Sequence, residues 1–266
     1  LKPQHFYLAD PHRIVVDIPN STLAPALIDD SKETYGETAL NHPLVEKVRY
    51  ALFSSEPSTV RLVVDLKSQA EYSVLAENEG IGITVKEKIF KIVIDAGHGG
   101  KDPGTQGASG AYEKDFNLRL AQKIYDLMKK ESALEPLMTR TDDTYISLDD
   151  RAAYANSAGA DLFISIHGNA HFKAGLSGTE TYYSRPESLA FAQVMHKHVL
   201  AATNFPDRDV RQADFRVIKD TTMPAVLLEI GYLSNRESER SMLSDDFQNR
   251  TAQAVVDAVK EYLGIH

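Results

Sequence analysis

The sequence predicts an α/β domain with a mostly parallel sheet flanked by helices, preceded by a small all-β domain. Two observations predict this fold class. Residues 1–88 contain β-branched runs that end at turn formers or polar residues, which is typical of strands. From residue 91 onward, apolar strand-like runs alternate with segments of helical periodicity, which indicates a sheet covered by helices. We therefore place the domains at residues 1–88 and 89–266, with only the charged "VKEK" at their boundary.

The first part of the chain is predicted to hold several short strands. The runs "RIVVDIPN" (13–20) and "RLVVDLKS" (61–68) nearly repeat each other, and both are rich in β-branched residues. Further strands are predicted at "VRYALF" (48–53) and within 72–88. A small β-sandwich or a single sheet follows from this pattern.

Strands and helices alternate through the second part. The segment 113–132 places Phe116, Leu120 and Ile124 at the spacing of an amphipathic helix. The predicted order is a strand at 91–97, this helix, a strand at 136–140, a helix at 148–160, strands at 161–169 and 178–184, a helix at 188–203, a strand at 224–235 and a closing helix at 247–264. Such alternation places helices on both faces of a largely parallel sheet.

The composition excludes several classes of partner. The formal net charge is −9, which argues against a nucleic-acid partner and against an anionic membrane surface. The sequence has no cysteine, so disulfides and cysteine-ligated zinc are excluded. No apolar run is long enough to span a membrane, and nothing in the pattern indicates an obligate dimer, so a monomer is expected. Because the chain opens at Leu1 rather than Met, we expect a processed or truncated product, from which an export signal could have been removed.

The stretch "KIVIDAGHGGKDPG" (91–104) could hold either a phosphate or a metal. Phosphate-binding loops present backbone N–H groups at a helix N-terminus, with fixed glycine spacings. Here Lys101 is followed by Asp102 rather than Ser or Thr, and that negative charge would oppose a phosphate. The stretch therefore favours a metal.

Ionisable residues follow three predicted strands of the second part. The first strand ends at His98, the third carries His167 at its end, and the last apolar strand carries Glu229. Glu113 opens the helix that follows the first strand. In open α/β sheets, sites form outside the carboxyl ends of the strands, so these side chains are expected at one edge. Two histidines and one glutamate with an open position are the ligand type of catalytic zinc, and a second glutamate would serve as general base.

Each of these residues also has a simpler interpretation. His98 could be a polar residue in a solvated glycine turn, and Glu113 could be a first-turn acid stabilised by the helix dipole. Asp95 is either a partner that orients a histidine ligand or a turn former at the strand end. Arg140 and Arg151 are interpreted as structural ion pairs. Glu229 is the hardest to explain this way, because a carboxylate among apolar residues costs free energy unless it is paired or bound to a metal.

Six motifs of the second part resemble a known family. They are "IVIDAGHGGKDPG", "GAYEKDFNLRLA", "MTRTDDTYISLDDRAAYAN", "LFISIHGNA", "GTETYY" and "PAVLLEIGYLSN". Together they are similar to the zinc-dependent N-acetylmuramoyl-L-alanine amidases of the amidase-3 type. The resemblance implies that His98, Glu113 and His167 bind Zn²⁺ and that Glu229 is the catalytic glutamate. It also implies an enzyme that hydrolyses the amide between N-acetylmuramic acid and L-alanine of the peptidoglycan stem peptide, in cell-wall remodelling and daughter-cell separation.

The first part resembles an AMIN domain. The stretches that carry this resemblance are "LADPHRIVVDIPN" and "VRYALFSSEPSTVRLVVDL". It implies a β-rich targeting domain that binds peptidoglycan or a protein of the cell wall or division site. An exported protein of the periplasm or cell wall is therefore expected.

One departure from the family concerns access to the zinc site. Some amidases of this type carry a long helical insertion after "SIHGNA" that blocks the site until an activator binds. Here only "HFKAGLS" (171–177) follows, so we expect a constitutively open site. Three other functions stay open at this point: a zinc peptidase that cuts within the stem peptide, a non-catalytic wall-binding protein and a nucleotide-binding module.

Overall fold

This computed structural model describes residues 2–24, 35–77 and 80–265. The described part of the first unit, which ends at Lys88, forms antiparallel β-structure. Its strands are β1 (Gln4–Ala9), β2 (His12–Pro19), β3 (Tyr35–Ala39), β4 (Val45–Ser55), β5 (Ser58–Leu66), β6 (Ala70–Glu77) and β7 (Gly80–Glu87). The first five form one sheet in the order β1-β2-β5-β4-β3, and β6 pairs with β7 as a separate hairpin. The predicted β-rich character of this part is therefore confirmed.

Alternate residues of the sheet and the hairpin build the core of this unit. Ile14 and Val16 of β2 are fully buried, and Val64 of β5 is only 3% exposed. Residues of the hairpin, among them Tyr72 and Val85, pack against the same cluster. Ile14, Val16 and Val64 therefore mark the face of the sheet that is covered by the hairpin.

The second unit spans Ile89–His266 and contains one six-stranded sheet with helices. Its strands are β8 (Phe90–Ala96), β9 (Leu134–Met138), β10 (Leu162–Asn169), β11 (Thr179–Tyr183), β12 (Asp207–Gln212) and β13 (Ala225–Tyr232). Its α-helices are α1 (Glu113–Met128), α2 (Leu148–Ala158), α3 (Leu189–Thr203), α4 (Arg216–Lys219), α5 (Arg236–Met242) and α6 (Asp245–Leu263). The strand order is β12-β11-β13-β10-β8-β9.

The sheet is mixed, where the sequence led us to expect a mostly parallel one. Strands β9, β8, β10 and β13 pair in parallel, but β11 runs antiparallel to β13 and carries β12 parallel to itself. The cause is the connection between β10 and β11, which is the short segment 170–178 without a helix. A parallel crossover needs a dozen or more residues, usually as a helix, so this short connection reverses the chain direction.

Helices cover both faces of this sheet. Helices α1, α3 and α6 pack on one face, against residues such as Ile94, Ile164 and Leu228. Residues of α2 and α4 pack on the other face, against Val93 and Phe163. The helix ends follow ordinary capping rules: Ser147 caps α2 by accepting a hydrogen bond from the backbone of Asp150, and Gly159 ends it in the left-handed region. In the part of the chain that the structure describes, no helix has the length and apolar composition needed to cross a membrane.

Candidate active site

The strand ends bring the predicted site residues to one edge of the sheet. In the parallel pair of β10 and β13, His167 lies directly opposite Glu229. Beyond the end of β8, the backbone N–H of Gly97 donates to the carbonyl of Ile166, so the residue before His98 stays beside β10. A Cβ at position 97 would stand 2.3 Å from the His167 ring, so only glycine allows this imidazole to approach the loop.

His98 sits in a strained turn that two buried arginines hold in place. Its φ of +61° lies in the left-handed region, which is unusual for a residue with a side chain. Arg140 donates to the carbonyls of Ala96 at 2.8 Å and Gly97 at 3.0 Å. Arg151 donates to the carbonyls of Ala96 and His98, both at 2.7 Å. Three successive carbonyls are thus fixed by two guanidinium groups that are 4% and 2% exposed.

Asp95 completes this support and does not contact either histidine. It is fully buried and accepts hydrogen bonds from Thr139, Ser165 and Arg151, each at 2.7 Å. Burial opposes its ionisation, but the Arg151 charge and these hydrogen bonds hold the pKa of Asp95 below its ordinary value. Both interpretations of Asp95 from the sequence are therefore wrong, because it is the counter-ion of Arg151.

Glu113 meets both histidines. It is the first residue of α1, and its Oε1 lies 2.9 Å from Nδ1 of His167 and 3.1 Å from Nε2 of His98. The backbone N–H of Thr105 donates to Oε2 at 2.9 Å, and that of Gly168 to Oε1 at 3.2 Å. Burial raises the pKa of Glu113, but the two histidines outweigh it and leave the pKa well below its ordinary value. The carboxylate is therefore ionised and held from several sides.

This geometry fits a single metal ion. The three ligand atoms of His98, Glu113 and His167 lie within 4.8 Å of one another. Tetrahedral zinc ligands stand about 2.1 Å from the ion and hence about 3.4 Å from one another. The 2.9 and 3.1 Å between Glu113 and the two histidines are compatible with that spacing. The carboxylate of Asp102 lies 2.8 Å from Nδ1 of His98, which leaves Nε2 directed at the other two groups. The role of Asp102 was not predicted, because residues 98–102 form a turn in which four-residue spacing does not by itself bring side chains together.

Glu229 lies beside this group, and one of its two carboxylate oxygens makes no hydrogen bond. Its Oε2 is buried and, among the described residues, has no hydrogen-bond partner. Burial, and then the charges of Glu113 and Glu180, raise the pKa of Glu229 well above its ordinary value. A buried carboxylate oxygen without a partner is costly, so this one indicates a group that meets a ligand. The structure thus brings together all four residues that the sequence proposed.

The segment 170–178 borders the site without covering it by a helix. It contains bends and turns, and its residue Phe172 is 87% exposed. His171 lies in this loop, and its backbone N–H donates to the hydroxyl of Ser234. The segment contributes no side chain to the group of His98, Glu113 and His167.

Comparison with known proteins places the chain in a family. The profile of the N-acetylmuramoyl-L-alanine amidases matches residues 92–261, which is more than half of the chain. The chain belongs to the N-acetylmuramoyl-L-alanine amidase family. The profile of the AMIN domain matches residues 1–90. The predicted family resemblances, and with them the prediction of a hydrolase, are confirmed.

Individual members of the amidase family agree with this assignment. The chain is 48% identical to the catalytic domain of the amidase CwlV from Bacillus (Paenibacillus) polymyxa, covering 67% of this chain and all of that one, with a TM-score of 0.66. It is 38% identical over 174 residues to the probable cell wall amidase LytH of Staphylococcus epidermidis, covering 64% of this chain and 57% of that protein. It is 31% identical over 212 residues to the amidase LytC of Bacillus subtilis, covering 76% of this chain and 42% of LytC. The chain therefore spans only about half the length of these two relatives.

Proposed function

We propose that the chain hydrolyses the amide between N-acetylmuramic acid and the L-alanine of the peptidoglycan stem peptide, with a bound zinc ion. The observation that carries this proposal is the convergence of His98, Glu113 and His167 on one point, with Glu229 beside them, in a chain of the amidase family. The zinc-binding roles of the first three residues and the catalytic role of Glu229 are part of the proposal.

The chain's own residues have separate roles in this reaction. His98, Glu113 and His167 would hold the ion, and zinc bound there supplies a Lewis acid that acidifies water and polarises a carbonyl. Glu229 accepts the proton of the attacking water and later delivers it to the leaving amine of L-alanine. Its burial raises the pKa of Glu229 and makes it a stronger base than an exposed glutamate. Asp102, Arg140 and Arg151 hold the His98 turn.

The two parts of the chain have different proposed tasks. Residues 89–266 form the catalytic domain, and residues 1–88 form an AMIN domain that binds peptidoglycan or a protein of the cell wall or division site. The substrate lies outside the cytoplasm, so we propose an exported monomer that acts in the periplasm or cell wall. Its roles are cell-wall remodelling and separation of daughter cells.

Mass spectrometry of the products tests the reaction. Purified peptidoglycan is incubated with the protein, with and without a zinc chelator, and with Glu229→Gln as the matched inactive control. Free stem peptides that begin with L-alanine, absent under chelation, are the expected products. Peptides cut between stem residues would instead identify a zinc peptidase, and no release by the metal-loaded protein would favour a non-catalytic wall-binding protein.

The short 170–178 segment supports a site that is open without an activator. The same digestion, carried out with the purified protein alone and with extract of wall-associated proteins added, tests this point. We expect similar rates in both. A rate that rises manyfold only with the extract would show that access is controlled by another route.

A further inference from the structure

Glu229 and a second glutamate, Glu180, belong to one line of residues across the sheet. His167 on β10 faces Glu229 on β13, and Glu229 faces Glu180 on β11. We call His167, Glu229 and Glu180 the cross-sheet row. Directly opposite residues on neighbouring strands place their side chains on the same face, so the row runs from the metal site toward the β12 edge.

Glu180 is a buried carboxylate whose two oxygens are both satisfied. It is 2% exposed, and its Oε1 accepts from Nε of Arg208 at 2.8 Å and from the Tyr232 hydroxyl at 2.5 Å. Its Oε2 accepts from the Tyr182 hydroxyl at 2.5 Å. Burial opposes its ionisation, but these hydrogen bonds keep the pKa of Glu180 below its ordinary value. Glu180 is therefore an anchor for its neighbours rather than a group free to bind a ligand.

Arg208 extends the row onto β12, and its side chain is held by contacts with neighbouring strands. The register pairs Thr179 with Asp207 and Thr181 with Val210, so Arg208 lies in the irregular part of β12 opposite Glu180. Its side chain runs over Gly178, where a Cβ would stand 2.3 Å from Cδ of Arg208. Gly178 has a φ of +143°, so the backbone there excludes a larger residue for two reasons. The Arg208 side chain remains 29% exposed.

A second guanidinium lies on the same face beside Arg208. Arg211 is opposite Tyr182, and Tyr182 shares its face with Glu180 two residues earlier. Nε of Arg211 donates to the carbonyl of Arg208 at 2.8 Å, and the residue is partly exposed. Among the described residues, no carboxylate lies within ion-pair distance of Arg211.

These observations distinguish a ligand site from a structural ion pair. Glu180 neutralises one guanidinium, so Glu180, Arg208 and Arg211 together carry one net positive charge, on a chain with a formal net charge of −9. A structural pair would need only one arginine. Arg208 and Arg211 share the single carboxylate of Glu180, which Arg208 contacts directly and whose pKa the Arg211 charge also lowers, so one positive charge at this edge is left for an anionic ligand.

We propose that Arg208 and Arg211 bind a carboxylate of the stem peptide, on the leaving-amine side of the scissile amide. The inference rests on the proposed function, because that function supplies the peptide. Neighbouring strands are about 4.8 Å apart, so β12 lies roughly 10 Å from Glu229. An extended peptide covers that distance in about three residues. Guanidinium groups bind carboxylates with strong, charge-assisted hydrogen bonds, which suits a subsite for an acidic peptide.

The test compares substrates that differ by one charge. Two muramyl tripeptides are prepared with a carboxylate or a carboxamide on the second stem residue, and a further pair varies the carboxyl group of the third residue in the same way. For at least one pair, wild-type protein should have a kcat/KM about tenfold higher on the carboxylate form. Arg211→Gln should remove this preference, mainly by raising KM for the carboxylate form.

Two further variants control for indirect effects. Arg250→Gln removes an arginine of α6 on the opposite side of the sheet and should leave the preference unchanged. Arg208→Lys keeps a charge beside Glu180 and should weaken the preference in part, with thermal unfolding measured to verify the fold. Titration calorimetry with the free tripeptides, which are products and are not cleaved, should show the same preference in binding.

The outcomes separate this inference from the proposed function. Equal kcat/KM on both members of both pairs, or a preference that survives in Arg211→Gln, overturns the carboxylate subsite and leaves the amidase intact. Release of peptide from none of the substrates by metal-loaded wild-type protein overturns the proposed function and this inference with it.

Discussion

Two pairs of arginines stand at the two ends of the site, and they are used in opposite ways. Arg140 and Arg151, at the metal end, are buried, and their N–H groups go to backbone carbonyls and to Asp95. Arg208 and Arg211, at the β12 edge, are partly exposed, and in the part of the chain that the structure describes only Arg208 forms a direct ion pair with a carboxylate. The same side chain therefore serves as internal scaffold at one end and as a docking group at the other.

Burial and hydrogen-bond partners, rather than residue type, decide what an arginine does at each end of the site. A guanidinium has five N–H donors in a fixed fork. Where backbone carbonyls take up most of them, as for Arg140, the residue can only position its neighbours. Where donors remain at a partly exposed edge, as for Arg211, the residue can bind a ligand. Substitutions at the two ends should therefore have different consequences.

The largest effect is expected at the metal end, in the catalytic step. Glu229→Gln should lower kcat by about 10²–10⁴, because it removes the acceptor of the water proton. Zinc content, measured by elemental analysis, should stay near one ion per chain. His98→Ala should lose both zinc and activity. Near-normal turnover in Glu229→Gln would show that another group is the base.

The next largest effect is on the free energy of unfolding, which should fall for a variant of the buried arginine pair and not for one of the β12 pair. Arg151→Met leaves Asp95 buried without its counter-ion, so the free energy of unfolding should fall by about 3–5 kcal/mol. Arg211→Gln, as the matched control, should change it by about 0.5 kcal/mol or less. Urea denaturation measures both. Similar losses in the two variants would mean that the edge pair is structural too.

A smaller effect, on zinc affinity, is expected at Asp102, which is the most exposed of the residues that hold His98. Asp102→Ala removes the carboxylate that orients His98, so zinc affinity should fall about 10- to 100-fold. Asp102→Asn, which keeps an acceptor oxygen, should lose less. Competition with a coloured chelator gives both affinities. Unchanged affinity in Asp102→Ala would show that the arginine-held turn orients the imidazole unaided.

The proximity of the site residues could be predicted because three of them lie at strand ends. His98, His167 and Glu229 each follow a recognisable apolar run, and the carboxyl ends of parallel neighbours meet at one edge. The support of the site could not be predicted in the same way. Arg151 reaches Asp95 across 56 positions, and no local pattern indicates such a contact.

The β12 edge escaped prediction for a physical reason. Its sequence "DRDVRQ" has one apolar residue, so it lacks the alternation that marks a half-buried strand. An edge strand needs little apolar character, and charged side chains protect it from pairing with other chains. The reversal at β11, which made the sheet mixed, depended on the length of the segment 170–178 rather than on any strand pattern.

The smallest effect is on the pH dependence of stability, which should again differ between the metal end and the β12 edge. The folded-state pKa of Asp95 lies below its ordinary value of 3.8, so the unfolded chain takes up this proton first as the pH falls. The stability that the Asp95 charge contributes is therefore complete above the unfolded pKa, and it is lost as the pH falls toward the folded pKa.

The unfolding free energies of wild type and Asp95→Asn, measured by urea denaturation from pH 7 downward, test this. Their difference should be constant near neutrality and shrink below about pH 4. The difference between wild type and Arg211→Gln should shrink much less over the same range, because the Arg211 charge only adds to the direct hydrogen bonds that lower the pKa of Glu180. If the two differences shrank equally in acid, Arg211 would be as dependent on an acidic partner as Arg151, and the two arginine pairs would differ in exposure alone.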